Sequence, residues 1–286
     1  MTIPIVIVVC AAAGIAVTSC GGKENDGASR FQPIHRFDTA DYHSLALDPT
    51  RDGTVLFGHH NGVQKSEDNG KTWKAVIDES GRDAMNLAFD PFSPATIYGA
   101  GHNVFFTSAD DGINWTNVDS DLPGLDLHTF GASAMQQNRF YAIPVGYGLY
   151  VSNDGGAEQW QLVTEDVPQG SNSIVELPDG ALLMGASDAG ILRSEDGGMT
   201  WLESRNGIEK GVVLTLKADK AGSRVYAGTT AGLFTSTNGG KSWAATALND
   251  TFALVVGVDP SDPMRVMVIN SAGELFASSD GGASWG

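Results

Sequence analysis

Short apolar runs recur along this chain, each four to six residues long and set off by polar, glycine-rich breaks. The first cycle reads His43 to Leu47, then Thr54 to Gly58, Gly62 to Lys65 and Trp73 to Ile77. A second cycle repeats it as Asn86 to Phe89, Thr96 to Gly99 and Val104 to Phe106, and further cycles begin near Leu127, Asn172, Val212 and Phe252. Runs of this length, mixing alternation with wholly apolar stretches, predict β-strands buried on one or both faces. Asp48-Pro49 and Asp90-Pro91 close the first run of each of the first two cycles and predict turns there.

The third and fourth strands of each cycle are joined by an octet. It reads SEDNGKTW (Ser66 to Trp73), SADDGINW (Ser108 to Trp115), SNDGGAEQW (Ser152 to Trp160), SEDGGMTW (Ser194 to Trp201), STNGGKSW (Ser236 to Trp243) and SSDGGASW (Ser278 to Trp285). The leading Ser advances by 42, 44, 42, 42 and 42 residues. A period of about 40–50 residues signals a propeller or a solenoid. Within the octet, Ser and Asp can bond back to the turn backbone and Gly supplies positive φ. Trp brings area to bury and one N–H to satisfy. The "DGG" acids lack the alternating oxygen ligands and late Glu of a calcium loop, so the octet reads as a structural turn.

These octets resemble the Asp-box, or BNR, repeat of sialidases, sortilin-type receptors, xyloglucanases and many exported bacterial propellers. The resemblance covers residues 31–286 and implies an all-β propeller of four-stranded antiparallel blades. It leaves activity open, because the repeat occurs in enzymes and in binding proteins alike. Sialidase-like members carry an F/Y-R-I-P motif and an arginine triad. Here the nearest match is Tyr141-Ala142-Ile143-Pro144, with Ala in place of Arg, so classical sialidase chemistry is not implied.

Six repeats predict six blades. The last stops at Trp285-Gly286, where its outer strand should begin, while Phe31 to Pro49 aligns without gaps to Trp73 to Pro91. Ile34 to Phe37 is therefore expected to supply the missing outer strand and close the ring, which removes an exposed edge. In such a meander all six octets share a lower rim. The blade-to-blade links and the second-to-third strand loops share an upper rim.

The upper rim carries the candidate chemistry. Before the first strand, cycles one to three read Asp41-Tyr42-His43, Asp83-Ala84-Met85 and Asp126-Leu127-His128, and the following loops add His59, His60 and His102. The corresponding first-strand positions of the later cycles are Asn172, Leu214 and Leu254. Asp and His at such junctions also cap turns, which is the plainer reading. As ligands, His43, His60, His102 and His128, with Met85 as a soft donor, suit a transition metal such as copper or zinc. As acids and bases, Asp41, Asp83 and Asp126 suit glycoside hydrolysis. A third reading is a non-catalytic scaffold, with Tyr42, Tyr147 and Phe130 exposed near the rim to stack on a glycan or a peptide.

Charge and cysteine narrow the partners. The 286 residues carry 17 Lys+Arg against 34 Asp+Glu, a formal charge of −17, which disfavours nucleic acid. Residues 1–20 hold no charged side chain and end Val17-Thr18-Ser19-Cys20, similar to a lipoprotein signal whose Cys20 is lipidated. Residues 21–30 read as a flexible tether, and the expectation is an extracytoplasmic protein held to a bacterial membrane through Cys20. Removal of Cys10 with the signal and acylation of Cys20 would leave residues 31–286 without a thiol.

Overall fold

A computed structural model describes residues 30–39, 41–78, 82–156 and 158–286. The expected signal segment, 1–20, and all of the tether but Arg30 lie outside the described residues. The described residues form 24 strands in six four-stranded antiparallel sheets, with no helix. The protein is a six-bladed β-propeller.

Each blade is a meander whose strands, A to D, run from the channel outward. In the first blade these are Ser44–Leu47, Val55–His59, Gly62–Ser66 and Lys74–Asp78. The inner strands of the other blades are Asn86–Phe89, Leu127–Ala132, Ser171–Glu176, Val213–Ala218 and Ala253–Val258. These six inner strands touch in cyclic order and wall a central channel. The sixth sheet takes its outer strand from the start of the chain. His35 pairs with Leu275 and Arg36 with Glu274, flanked by Ile34 N–H to Leu275 O at 2.8 Å and Phe37 N–H to Gly273 O at 2.9 Å. The ring closes as the sequence predicts.

Six hydrophobic clusters lie between neighbouring blades, one in each seam. The seam between blades 6 and 1 joins Phe37, Leu45 and Phe57 to Val255, Met267, Ile269 and Leu275. Burying one such side chain is worth about 1.5–3 kcal/mol, and each seam buries seven or more.

The octets are turns and also seam pieces. In every one the Ser Oγ accepts the N–H of the fifth residue, a glycine, at 2.8–3.1 Å. In four octets the Trp indole N–H returns to the carbonyl of that glycine, at 2.9 Å for Trp73 and 3.0 Å for Trp115. Trp243 instead donates to Ser204 O at 2.8 Å. Gly198 shows why the position admits no side chain. Its φ is +97°, and a Cβ there would sit 2.4 Å from Leu149 of the preceding blade. The octets share a rim with the A–B turns, since Asn69 N–H donates to Gly53 O at 2.9 Å and Asp111 N–H to Ala95 O at 2.9 Å.

At that lower rim a lysine crosses the channel. Lys220, from blade 5, donates to the Pro91 carbonyl of blade 2 at 2.6 Å and lies 4.9 Å from the Phe92 ring centre. The space it bars is a cavity of about 180 Å³ that runs down from His43 and Met85 to Pro91, Lys220 and Pro260.

Two predictions follow from the octets. Ser194, 1% exposed, is the acceptor for the buried Gly198 amide, so Ser194→Ala should lower unfolding free energy by about 1–3 kcal/mol in urea. Asp196 is held down from about 3.8 to about 2 by the Thr200 hydroxyl and then the Thr200 amide, and Asp68 and Asp280 are held at about 2 likewise. A carboxyl depressed on folding contributes stability above its unfolded pKa and loses it as pH falls towards the folded one. Acid unfolding followed by circular dichroism should therefore steepen between about pH 4 and pH 2. Asp196→Asn should soften the slope, because Asn238 makes the equivalent bond to Ser242 N–H at 2.9 Å.

Candidate functional site

The upper rim of blades 1 to 3 is assembled by backbone and hydroxyl contacts that cross the seams. The Ala84 N–H donates to His59 O at 3.1 Å, and the Ser44 hydroxyl donates to Ala84 O at 2.8 Å. These tie the start of blade 2, with Asp83, to the loop of blade 1 that carries His60. The Asn86 side-chain amide donates to Leu127 O at 3.1 Å and ties blade 2 to the strand that carries His128. Gly101 allows a close approach, since a Cβ there would lie 2.4 Å from the Asp83 carbonyl.

Two of the three Asp first do what their positions predict. Asp41 Oδ2 accepts the His60 N–H at 2.8 Å, and Asp83 Oδ2 accepts the His102 N–H at 3.3 Å, so both cap the loop of their own blade. His128 sits at a β-bulge. The strand register skips it between Leu127, opposite Pro144, and Thr129, opposite Ile143. A bulge of this kind re-aims a side chain, here towards the rim.

The result is a continuous row of four imidazoles and three carboxylates. Asp41 Oδ1 stands 2.6 Å from His43 Nε2 and 2.6 Å from His60 Nδ1, and those two nitrogens are 3.1 Å apart. The His60 and His102 rings stack with centres 5.4 Å apart and planes 19° apart. Asp83 Oδ2 contacts His102 Nδ1 and lies 4.0 Å from His60 Nε2. His102 Nε2 and His128 Nε2 are 3.1 Å apart, with Asp126 Oδ1 at 3.9 Å and 3.2 Å from them. These seven groups form three overlapping triples that could each hold a metal ion: Asp41, His43 and His60; His60, Asp83 and His102; His102, Asp126 and His128.

One carboxylate oxygen of the row, Asp83 Oδ1, is buried without a hydrogen-bond partner, while Oδ1 of Asp41 and of Asp126 have imidazole nitrogens beside them at 2.6 Å and 3.2 Å. Asp41 Oδ1 faces two imidazole nitrogens, and its contact with His43 Nε2 acts on it as a hydrogen bond. Bonds of about 2.0–2.2 Å from one cation would satisfy the oxygen and both nitrogens together.

The environment sets the ionisation of the row. Burial raises the Asp41 pKa, and the contact with His43, the His60 amide and both imidazole charges outweigh it, leaving Asp41 at about 2. His128 is pushed below its ordinary 6.5 by burial first, against the raising effect of Asp126. Both shifts favour the ligand forms, carboxylate and neutral imidazole.

The rest of the predicted rim divides. Met85 is half-buried on the channel wall with His43. His59 turns away from the row. Its Nδ1 accepts the Asn61 N–H at 3.2 Å and its ring lies 5.6 Å from Phe57. Tyr147 is exposed, as expected. Phe130 is not. It is buried between Phe105 and Phe140, with both ring centres at 5.4 Å, because the seam between blades 2 and 3 takes it as core. Tyr42 is half-buried against Phe37 and Phe57 rather than free to stack.

No family model and no curated protein matches the sequence. Solved structures do match in fold. A GH74 enzyme from Niastella koreensis superposes with a TM-score of 0.64 at 18% identity, over 89% of this chain and 46% of that one. The chain thus spans about half the length of that enzyme. YCF48 bound to D1 peptide superposes with a TM-score of 0.55 at 17% identity, over 85% of this chain and 95% of that one. A putative gluconolactonase superposes with a TM-score of 0.67 at 12% identity, over 86% and 90% of the two chains. Similarities at these identities establish the propeller and nothing finer.

In a proton NMR titration of the metal-free protein, His128 should titrate below 6.5. A folded-state pKa depressed in this way means that the unfolded chain binds the proton more readily. The residue should therefore withdraw stability as pH falls below 6.5. A midpoint at or above 6.5 would contradict the burial seen here.

Proposed function

We propose that this protein is a metal-binding propeller whose upper rim holds a divalent first-row transition metal, with zinc and copper(II) as the best-suited ions. The observation that carries the reading is the Asp41 oxygen, 2.6 Å from two imidazole nitrogens that themselves stand 3.1 Å apart. Imidazole and carboxylate together suit zinc, copper(II), nickel or iron(II). A formal charge of −17 draws cations towards the rim. We assign the repeat to the Asp-box class on its Ser-to-glycine and Trp-to-glycine bonds, and we place the protein outside the cytoplasm, lipid-anchored at Cys20, on the apolar run that precedes that residue.

Glycan hydrolysis is the second reading. Its support is the propeller shared with GH74 enzymes and the buried, unpartnered Oδ1 of Asp83. Asp41, held at about 2, stays ionised near neutral pH and would serve as a base or a ligand rather than as a proton donor. The peptide-bound YCF48 propeller supports a scaffold role in the same general way.

Metal analysis separates these readings. Full-length protein without a histidine tag, loaded with zinc or copper(II) and desalted, should retain metal at a stoichiometric level. His43→Ala combined with His128→Ala should lower retention markedly at unchanged circular dichroism. Absence of retained metal, or equal retention in the double variant, would defeat the metal reading. Turnover on a glycan panel that persists in chelator and disappears in Asp126→Asn would establish the hydrolase instead.

A further inference from the structure

The row contains more ligands than one cation can take, and imidazole chemistry divides them. A neutral imidazole has one lone pair to offer, because its second ring nitrogen carries the proton. His60 and His102 each turn both nitrogens towards other members of the row, so each must give one nitrogen to a metal and one to a hydrogen bond.

For His102, Asp83 decides which. Its side chain is 6% exposed, its Oδ2 contacts His102 Nδ1 and its Oδ1 has no partner. The contact through Nδ1 places the His102 proton there, which leaves the Nε2 lone pair facing His128 and Asp126. His60 Nε2 lies 4.0 Å from the same Asp83 oxygen, while its Nδ1 is 2.6 Å from Asp41 Oδ1. At 4.0 Å Asp83 makes no hydrogen bond to His60, whose Nε2 stands 3.2 Å from His43 Nε2; a cation beside Asp41 would take the His60 Nδ1 lone pair and leave the proton on Nε2.

The two ends of the row have the dimensions of metal sites. Edges of 2.6, 2.6 and 3.1 Å around Asp41, His43 and His60 can be capped by an ion about 2.0–2.2 Å from all three atoms, lying above their plane. Edges of 3.1, 3.2 and 3.9 Å around His102, His128 and Asp126 admit the same bond lengths from a point near the plane. The middle triple is different, because its closest pair is already joined as carboxylate and imidazole N–H.

Resting on the metal-binding reading above, we propose that the rim holds two divalent transition-metal ions. One is bound by Asp41, His43 and His60, the other by His102, Asp126 and His128. Asp83 is a positioning residue that fixes the tautomer of His102. Each ion then has two imidazoles and one carboxylate, a set that leaves coordination positions open. His60 and His102, with side chains 47% and 40% exposed, border those positions towards solvent. An imidazole held by a carboxylate on its far nitrogen is a better-oriented and more basic ligand, and loss of such a partner typically weakens metal binding about 10–100-fold.

The test is a titration of the full-length, tag-free protein with cobalt(II), followed by its visible absorption, and with zinc, followed by calorimetry and elemental analysis. Two equivalents are expected. His43→Ala should retain one, His128→Ala should retain one, and the double variant none. Asp83→Asn should still take two, the one bound by His102 about 10–100-fold more weakly. Long-range proton–nitrogen spectra of the metal-free native protein should show His102 with its proton on Nδ1, a readout that holds even if Asp83→Asn does not fold. One equivalent in the native protein, abolished by either single histidine change, would overturn the two-ion site and leave the broader metal-binding reading standing. No binding at all would remove both. Loss of a whole equivalent in Asp83→Asn, or a His102 proton on Nε2, would overturn the positioning role.

Discussion

Everything in this molecule depends on seams between sheets. A four-stranded blade with both faces apolar cannot stand alone in water, and each face here is covered by the next blade round. The chain makes the last seam with its own beginning. Ile34 and Phe37 bond to the third strand of blade 6, and Phe37, Leu45 and Phe57 pack against Val255, Met267 and Leu275. The octets serve the same end. The glycine at each turn lets the turn lie on the neighbouring blade, and the conserved geometry of the Ser-to-glycine bond fixes how far apart the sheets stand.

The fixed spacing turns sequence-distant groups into a site. His43 and His128 are contributed by blades 1 and 3, and they join one row only because blade 2 sets its own loop between them. Ser44 and Asn86, both small polar residues on inner strands, lock that arrangement by reaching across the seams to the carbonyls of Ala84 and Leu127. A metal bound to the row would tie three blades together at the rim, where no hydrophobic cluster does so. Binding to the folded state alone raises stability by mass action, so metal affinity and blade cohesion are linked quantities.

Much of this was legible in the chain. The strand positions, the number of blades and the closing strand follow from the octet spacing and from the gapless match of Phe31 to Pro49 with Trp73 to Pro91. The gathering of His43, His60, His102 and His128 follows from the repeat once the rims are assigned. What could not be read was the packing of individual rings. Phe130 and Tyr42 look like rim residues by position, but a seam takes whichever aromatic fits, and both are core to differing degrees. Nor does position alone separate His59 from His60. The turn of one residue at the end of a strand sends one ring to Phe57 and the other to Asp41. The tautomer of His102 depends on Asp83, a residue whose burial the sequence does not announce.

The other half of the rim sharpens the contrast. Where blades 1 to 3 place Asp and His or Met two residues apart, blades 4 to 6 place Gly170 with Asn172, Val212 with Leu214, and Phe252 with Leu254. Val212 and Phe252 are exposed, as are Val145 and Tyr147 beside His128. A repeat that had kept one residue type at these positions for folding alone would show it in all six blades, because all six inner strands meet the same channel. The fold does not need an acid there, since blades 4 to 6 close their seams without one. Asp41 and Asp83 cap their own loops and Asp126 contacts His128, so the acids belong to the local structure of this half of the rim without being required for ring closure. Seam packing accounts neither for imidazoles at four neighbouring rim positions nor for the buried Asp83 Oδ1, which has no partner.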